Sequence, residues 1–317
     1  MPLYLKDKLV SGTGAQGSPG KSAYQTAVEA GYKGDEAAFN SALKDVPAHI
    51  ANKDNPHGVT AAQVDAYTKD EANALLQNKI DTYSGAGAHN AIYRGKYLGD
   101  SVTAEQYAAI AAGTFDDLYI GDYWTIGGVN YRIAAFDYYY RSGDNIDITT
   151  HHVTLVPDTA LYSHVMNDDN TTEGGYIGSK MKTSGLDQAV TTINNAFGSA
   201  HILTRRELFT NAVSNGKPSG GSWYDSTVDL MTEQNVYGSR FFAPAPDGTT
   251  IPYQYVVDKS QYPLFAFRPD MISNRVTYWL RDVVSAANFA GVLDRGCAYC
   301  YGASSARGVR PAFSIKA

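Results

Sequence analysis

Cysteine is almost missing: the 317-residue chain holds two, Cys297 and Cys300, in the stretch GCAYCYG. Two thiols close in sequence do not build the disulfide framework of a small secreted domain, and a chain of this length buries a core without such staples. Long apolar runs are missing too. No segment approaches the roughly 20 residues that cross a bilayer, which argues against membrane insertion. Lys6, Asp7 and Lys8 interrupt what would be the apolar heart of a signal peptide in MPLYLKDKLVSG. The expectation is a soluble protein made in the cytoplasm and exported only by an unusual route. Charge is sparse and acidic, 26 Lys and Arg against 32 Asp and Glu, with no basic block, so a phosphate-tracking nucleic-acid surface is excluded. No G-x-S-x-G elbow or H-E-x-x-H helix occurs. A phosphate loop ending at Gly20-Lys21-Ser22 would need glycine at position 15, where alanine stands, and no buried strand precedes it.

What is abundant is tyrosine, 24 residues against 11 Phe, a side chain that gives rigid contact area with a polar tip at recognition surfaces. Length predicts about two domains. Residues 12–22, GTGAQGSPGKS, keep a G-X-Y register for three triplets. That is collagen-like composition, yet too short to hold a triple helix alone, which leaves a flexible linker as the other reading. Residues 23–45 are helix-like with a glycine break at 31–34. Asn55-Pro56-His57-Gly58 reads as a turn. Thr60 with Gln63, and Thr68 with Glu71, form two capping boxes that open short, mostly polar helices. Such helices bury little alone and point to packing against copies of themselves. SGAGAHN at 84–90 reads as a linker.

The texture changes near residue 92. Thr103 with Gln106 caps a helix that Gly113 stops. Two strand-like runs flank Gly127-Gly128, a hairpin pattern, and HHVTLVPD (151–158) is a further strand. Ala189, Ile193 and Phe197 fall on one helical face ended by Gly198. Thr204 with Glu207 predicts another helix, running to Asn215-Gly216. FAPAPDGTTIPYQYVVD, YPLFAFRP and TYWLRD are strand candidates. The mixture predicts an α+β domain rather than βαβ repeats.

The segments GAQGSPGKSAYQTAVEAGYKGDEAAFNSAL and HIANKDNPHGVTAAQV resemble N-terminal and shaft modules of bacteriophage tail-fibre proteins. From IGDYWTIGGVNYRIAAFDYYY to GVRPAFSI the chain is similar to C-type-lectin-like domains of phage tails and of diversity-generating retroelement targets. Its signature is Tyr278-Trp279-Leu280-Arg281, which opens the segment that the family varies, and Gly308-Val309-Arg310-Pro311-Ala312-Phe313, which closes it. The resemblance implies three parts: an attachment region at 1–45, a helical shaft module at 46–91, and a C-type-lectin-like receptor-binding domain at 92–317. It also implies a homotrimer in the virion tail, whose partners are other tail or baseplate proteins and a bacterial cell-surface receptor, protein or glycan. Diversification in that family acts on adenines, and such codons cannot become Lys, Glu, Gln, Met or Trp. None of those five types occurs in residues 282–309.

The residue types fit that expectation. Trp279 and Phe313 can anchor the two ends, Pro311 stiffens the exit, and Arg281 and Arg310 complete the anchors. Between them the expected ligand-binding positions are Asp282, Val283, Ser285, Ala287, Asn288, Ala290, Val292, Asp294, Arg295, Cys297, Tyr299, Tyr301 and Ser304. Tyrosine and arginine dominate binding hot spots, and a loop on a rigid scaffold is where recognition sits. The alternative is an edge hairpin with incidental aromatics.

No catalytic residue, metal or cofactor is expected. A redox reading of Cys297 and Cys300 needs a helix N-terminus after a βαβ pattern. A zinc site needs two more ligands. Formylglycine-generating enzymes share the broad fold class, but space their cysteines more widely. That enzyme class, a purely structural tail component and a cellular or prophage-borne surface adhesin stand as the rival functions. NDDNTTEGG (167–175) offers calcium-type oxygens without EF-hand spacing and reads as a polar turn. The tripeptides of calcium-dependent sugar-binding lectins are absent. His151 and His152, adjoining a strand, point to opposite faces and cannot chelate together as neighbours.

Overall fold

The computed structural model describes residues 4–5, 8–9, 20–52, 58–81, 84–144, 148–214, 217–218, 220–243 and 260–317. The glycine triplets up to residue 19, the turn at 55–57, the Asn215-Gly216 stop and most of the strand candidate at 242–258 lie outside them. The chain divides into two compact units, Met1–Leu76 and Gln77–Ala317.

In the first unit a two-residue strand pair, β1 (Tyr4–Leu5) with β2 (Lys8–Leu9), precedes two helices, α1 (Ala23–Glu29) and α2 (Glu36–Ala51). Ser22 and Gln25 form a capping box on α1, and Asp35 accepts the Ala38 N–H at the start of α2. Across the glycine break Tyr32 packs edge to face on both Tyr24 and Phe39, and the Tyr24 and Phe39 rings meet tilted. Neither helix buries a residue, and Leu43, Val46 and Ile50 stand exposed. Both expected boxes form. Thr60–Gln63 opens a single 3-10 turn (Ala61–Val64), and Thr68–Glu71 opens α3 (Lys69–Asp81).

The second unit carries a larger core. The stretch expected to be a linker at 84–90 contains a helical turn, α4 (Ala86–His89). Its His89 is buried among Phe115, Tyr119 and Phe136, with Nδ1 2.5 Å from the Leu118 carbonyl oxygen. Aromatic neighbours from distant segments made a core of what composition reads as loop. One sheet runs in the order β12-β17-β6-β5-β4-β3. Its members are β3 (Tyr97–Gly99), β4 (Tyr123–Ile126), β5 (Val129–Phe136), β6 (Val153–Pro157), β12 (Val228–Leu230) and β17 (Pro311–Ile315). The β4–β5 hairpin turns on Gly127 and Gly128, both at positive φ, as a two-residue turn of this hand requires. Helix α5 (Ala104–Ala112) has the Thr103–Gln106 box and stops at a left-handed Gly113. Helix α6 (Asp187–Phe197) buries Ala189, Ile193 and Phe197, the expected stripe.

The second sheet runs β15-β14-β13-β16-β7, with β7 (Tyr162–His164), β13 (Tyr278–Val283), β14 (Asn288–Val292), β15 (Ala298–Gly302) and β16 (Arg307–Val309). Smaller pairs are β8 (Arg205–Thr210) with β11 (Gly221–Ser226), and β9 (Val213–Ser214) with β10 (Lys217–Pro218). The architecture is mixed α+β.

Two further sequence expectations fail for identifiable reasons. The helix predicted from Thr204–Glu207 is strand β8. Arg205, Glu207 and Phe209 alternate inward, and partners far away in sequence neutralise the two charges: Asp229 faces Arg205, and Arg281 binds Glu207 at 2.6 Å. The strand predicted at YPLFAFRP is a short helix, α8 (Pro263–Phe267). Proline suits the first helical turn, and adjacent Leu264 and Phe265 are both buried instead of alternating.

Candidate ligand-binding surface

The segment 282–305 hangs on a buried frame. Trp279 is inaccessible and donates its indole N–H to the His164 carbonyl at 2.9 Å. Phe313 packs between Tyr131 and Phe197. Arg310 is buried, donating to the backbone carbonyls of Pro157 (2.9 Å), Met271 (3.1 Å) and Ile272 (3.2 Å) beneath the ring of Tyr278. Arg281 lies over Phe209 and binds Glu207. Burial pushes the Glu207 carboxyl up, but Arg281 and Arg205 together pull it below its usual range. Pro311, also buried, begins β17 opposite Leu230.

On that frame β14 and β15 form an antiparallel hairpin, pairing Asn288 with Gly302 and Val292 with Ala298. Its turn closes by Leu293 and Cys297 backbone bonding at 2.8 Å and by Gly296 at φ +89°. Two outside contacts hold the turn. Ser273 Oγ donates to the Asp294 carbonyl at 2.6 Å, and Tyr237 donates its hydroxyl to the Gly296 carbonyl at 3.0 Å.

The expected binding positions separate into three groups. Asp294, Arg295, Cys297 and Tyr299 are exposed. Ser285, Ala287, Asn288, Tyr301 and Ser304 are half-buried. Asp282, Val283, Ala290 and Val292 are buried, and this corrects their assignment as ligand contacts. β13 is buried along all six residues and β14 from Phe289 to Val292, so both faces of these two inner strands are covered and no pleat alternation brings their side chains to water. Asp282 has a specific inward task. Its carboxylate accepts the Glu233 backbone N–H at 2.6 Å at the start of α7 (Glu233–Tyr237). Burial pushes its pKa up to about 6, with the nearby Glu233 charge adding to the effect and that hydrogen bond opposing it.

Residues outside the segment complete the surface. The NDDNTTEGG stretch braces it. Thr172 donates its N–H to Ala286 O (2.9 Å) and its hydroxyl to Ser285 O (2.8 Å), and Asn170 Oδ1 accepts from the Ser304 N–H (3.1 Å) and hydroxyl (2.8 Å). Glu233, fully buried, accepts backbone N–H groups of Phe241, Phe242 and Ala243, each at 3.0 Å. Phe242 then stands 6.0 Å from the Tyr299 ring, which lies 4.9 Å from Tyr301. Arg307 covers Tyr301 at 4.2 Å. The sequence reading placed Asn170 only in a polar turn with calcium-type oxygens, and it missed Thr172, Glu233, Phe241 and Phe242. Their roles depend on partners that no local pattern announces.

The two thiols are free. Cys297 sits exposed in the turn, whereas Cys300 lies opposite Ala290 with Asn288 Nδ2 3.8 Å from its sulfur. Among the described residues no group of three or more His, Cys, Asp or Glu side chains is placed to hold a metal ion. His151 and His152 meet at one carboxylate. Asp137 takes His151 Nδ1 at 2.7 Å and the His152 backbone N–H at 2.9 Å. His152 Nε2 accepts the Tyr139 N–H at 3.0 Å, and burial lowers its pKa to about 4, so the ring is neutral.

No family model, curated protein or solved structure matches this chain.

Proposed function

We propose that the chain is a receptor-binding protein of a phage tail or phage-tail-like particle, with residues 92–317 in a C-type-lectin-like arrangement. On this reading the N-terminal region attaches the chain to the particle and joins three copies, and the surface around 285–304 meets a ligand on a bacterial cell. The observation that carries the reading is the pairing of a water-facing hairpin turn, Asp294 to Tyr299, with ends fixed by buried Trp279, Arg310 and Phe313. Side chains on such a turn can change without disturbing the core, which is what a receptor-binding surface under variation needs. The small residues beside the aromatic and arginine positions in the same segment suit an adaptable contact.

The test is retention of the fluorescently labelled full chain on a panel of bacterial strains. Strain-selective binding, competed by unlabelled chain and weakened by Tyr299→Ala or Arg295→Ala, is the expected result. Absence of binding to any strain, or binding that both substitutions leave untouched, overturns the proposal. Cys297→Ser with Cys300→Ser is expected to retain binding, and sedimentation should give three chains per particle.

A further inference from the structure

Three segments of the second unit converge beside the hairpin turn. Residues 237–243 are held there by the Tyr237 contact to Gly296, and residues 273–276 by the Ser273 contact to Asp294. Residues 294–301 supply the turn itself. Together they show an apolar centre: Phe241 is 63% exposed, Phe242 42% and Tyr299 45%. Exposed aromatic side chains gathered at one place mark an interaction site.

The charges in those segments are mostly positive. Arg275 and Arg295 stand exposed in these segments and, among the described residues, neither forms an ion pair, whereas half-buried Arg240 acts electrostatically on buried Asp282. Asp294 is the single carboxylate in the three segments, and neither lysine nor glutamate occurs in them. A chain of net charge −6 therefore presents a locally positive rim here. Tyr, Phe and Arg enriched, with Lys and Glu depleted, is the composition of a protein–protein contact core. The centre is also preorganised. The Glu233 carboxylate takes three consecutive backbone N–H groups at 241–243, so the two phenylalanines lose little freedom when a partner arrives.

We infer that the ligand of this surface is a protein whose contact face has an apolar centre ringed by carboxylates. Phe241 and Phe242, which lie outside the 282–305 segment, are its fixed anchors. The hairpin turn supplies the part of the contact open to variation. This inference rests on the adhesion reading above and narrows the receptor from protein or glycan to protein. Guanidinium groups meeting carboxylates fix register and speed encounter, while the aromatic centre carries the affinity.

The experiment uses cells of a strain that retains the full chain, in three preparations: untreated, digested with proteinase K, and oxidised with periodate. Digestion is expected to lower bound chain at least about tenfold and oxidation to leave it within about twofold. Phe242→Ser and Arg295→Glu are each expected to weaken binding to untreated cells about tenfold, the scale of one hot-spot residue. Both variants should keep the wild-type thermal midpoint, and Tyr97→Ser, an exposed tyrosine on β3, serves as the unaffected control. Binding lost on oxidation but kept after digestion would identify a glycan and overturn the inference while leaving adhesion intact. Wild-type binding by Phe241→Ser and Phe242→Ser would remove the anchors and overturn it as well. If no strain is bound at all, adhesion itself fails and the inference falls with it.

Discussion

The carboxylate of Asp282 accepts the Glu233 backbone N–H at 2.6 Å within the protein interior, facing the charges of Glu233, Arg240 and Arg281. Its carboxyl titrates near 6 when folded against an ordinary 3.8. The folded chain thus holds this proton more tightly than the unfolded one. The resulting stability is full below the unfolded value and is lost as pH rises through about 6. The Asp282→Asn variant should therefore gain on wild type, by about 2–3 kcal/mol, between pH 4 and pH 7.5. Urea unfolding of both proteins at the two pH values measures this, and a difference independent of pH refutes it.

His152 acts in the opposite sense. Its folded pKa is depressed to about 4 from 6.5, so its contribution is present above the unfolded value and is lost as pH falls through about 4. In wild type the two groups offset each other in the same acid window. In Asp282→Asn the His152 slope is no longer offset. Imidazole proton resonances should place the His152 midpoint near pH 4. A midpoint near 6.5 would mean that the ring is solvated.

Glu207 neutralises two buried guanidinium groups, Arg281 at 2.6 Å and Arg205 at 3.3 Å. Its replacement by Gln leaves both in the core without their shared counter-charge, a loss of about 3–5 kcal/mol. Calorimetry should show a large fall in melting temperature. A Glu207→Gln protein as stable as wild type would show that the pair is solvated or compensated elsewhere.

Tolerance to substitution should alternate along the hairpin. Changes at Asp294, Arg295, Cys297 and Tyr299 are expected to cost within about 0.5 kcal/mol. Gly291→Val should cost about 1–3 kcal/mol, because a Cβ there already meets Tyr278 O at 3.0 Å and the Tyr301 ring at 3.4 Å. A saturation library sorted on protease resistance reads every position together. Equal tolerance at 291 and 299 would contradict the buried frame.

Thr172 fastens the segment from outside through its hydroxyl on Ser285 O. Thr172→Val keeps the volume and removes that bond, and should cost about 1 kcal/mol. Faster amide exchange should follow at residues near 285–288, with β17 unchanged. Unchanged exchange at 285–288 would show that the brace is not needed.

The sequence alone determined whatever depends on neighbours within a few residues. The Thr103–Gln106 box, the Gly127-Gly128 turn and the Ala189–Ile193–Phe197 stripe are each complete in a short window, because capping and turn chemistry act over three or four positions. The buried ends at Trp279 and Phe313 were legible for a related reason: large apolar side chains seek the core wherever the chain allows. Which faces of 282–305 meet water was decided only by the tertiary structure. Arg281 finds its counter-charge 74 residues away on β8, and that distant pairing turns a stretch with a helical cap pattern into a strand. Asp282 goes inward because Glu233 offers it an N–H, and Phe241 and Phe242 go outward because the same glutamate holds their backbone. Compensation of buried charge comes from wherever folding brings a partner, and one-dimensional spacing does not encode it.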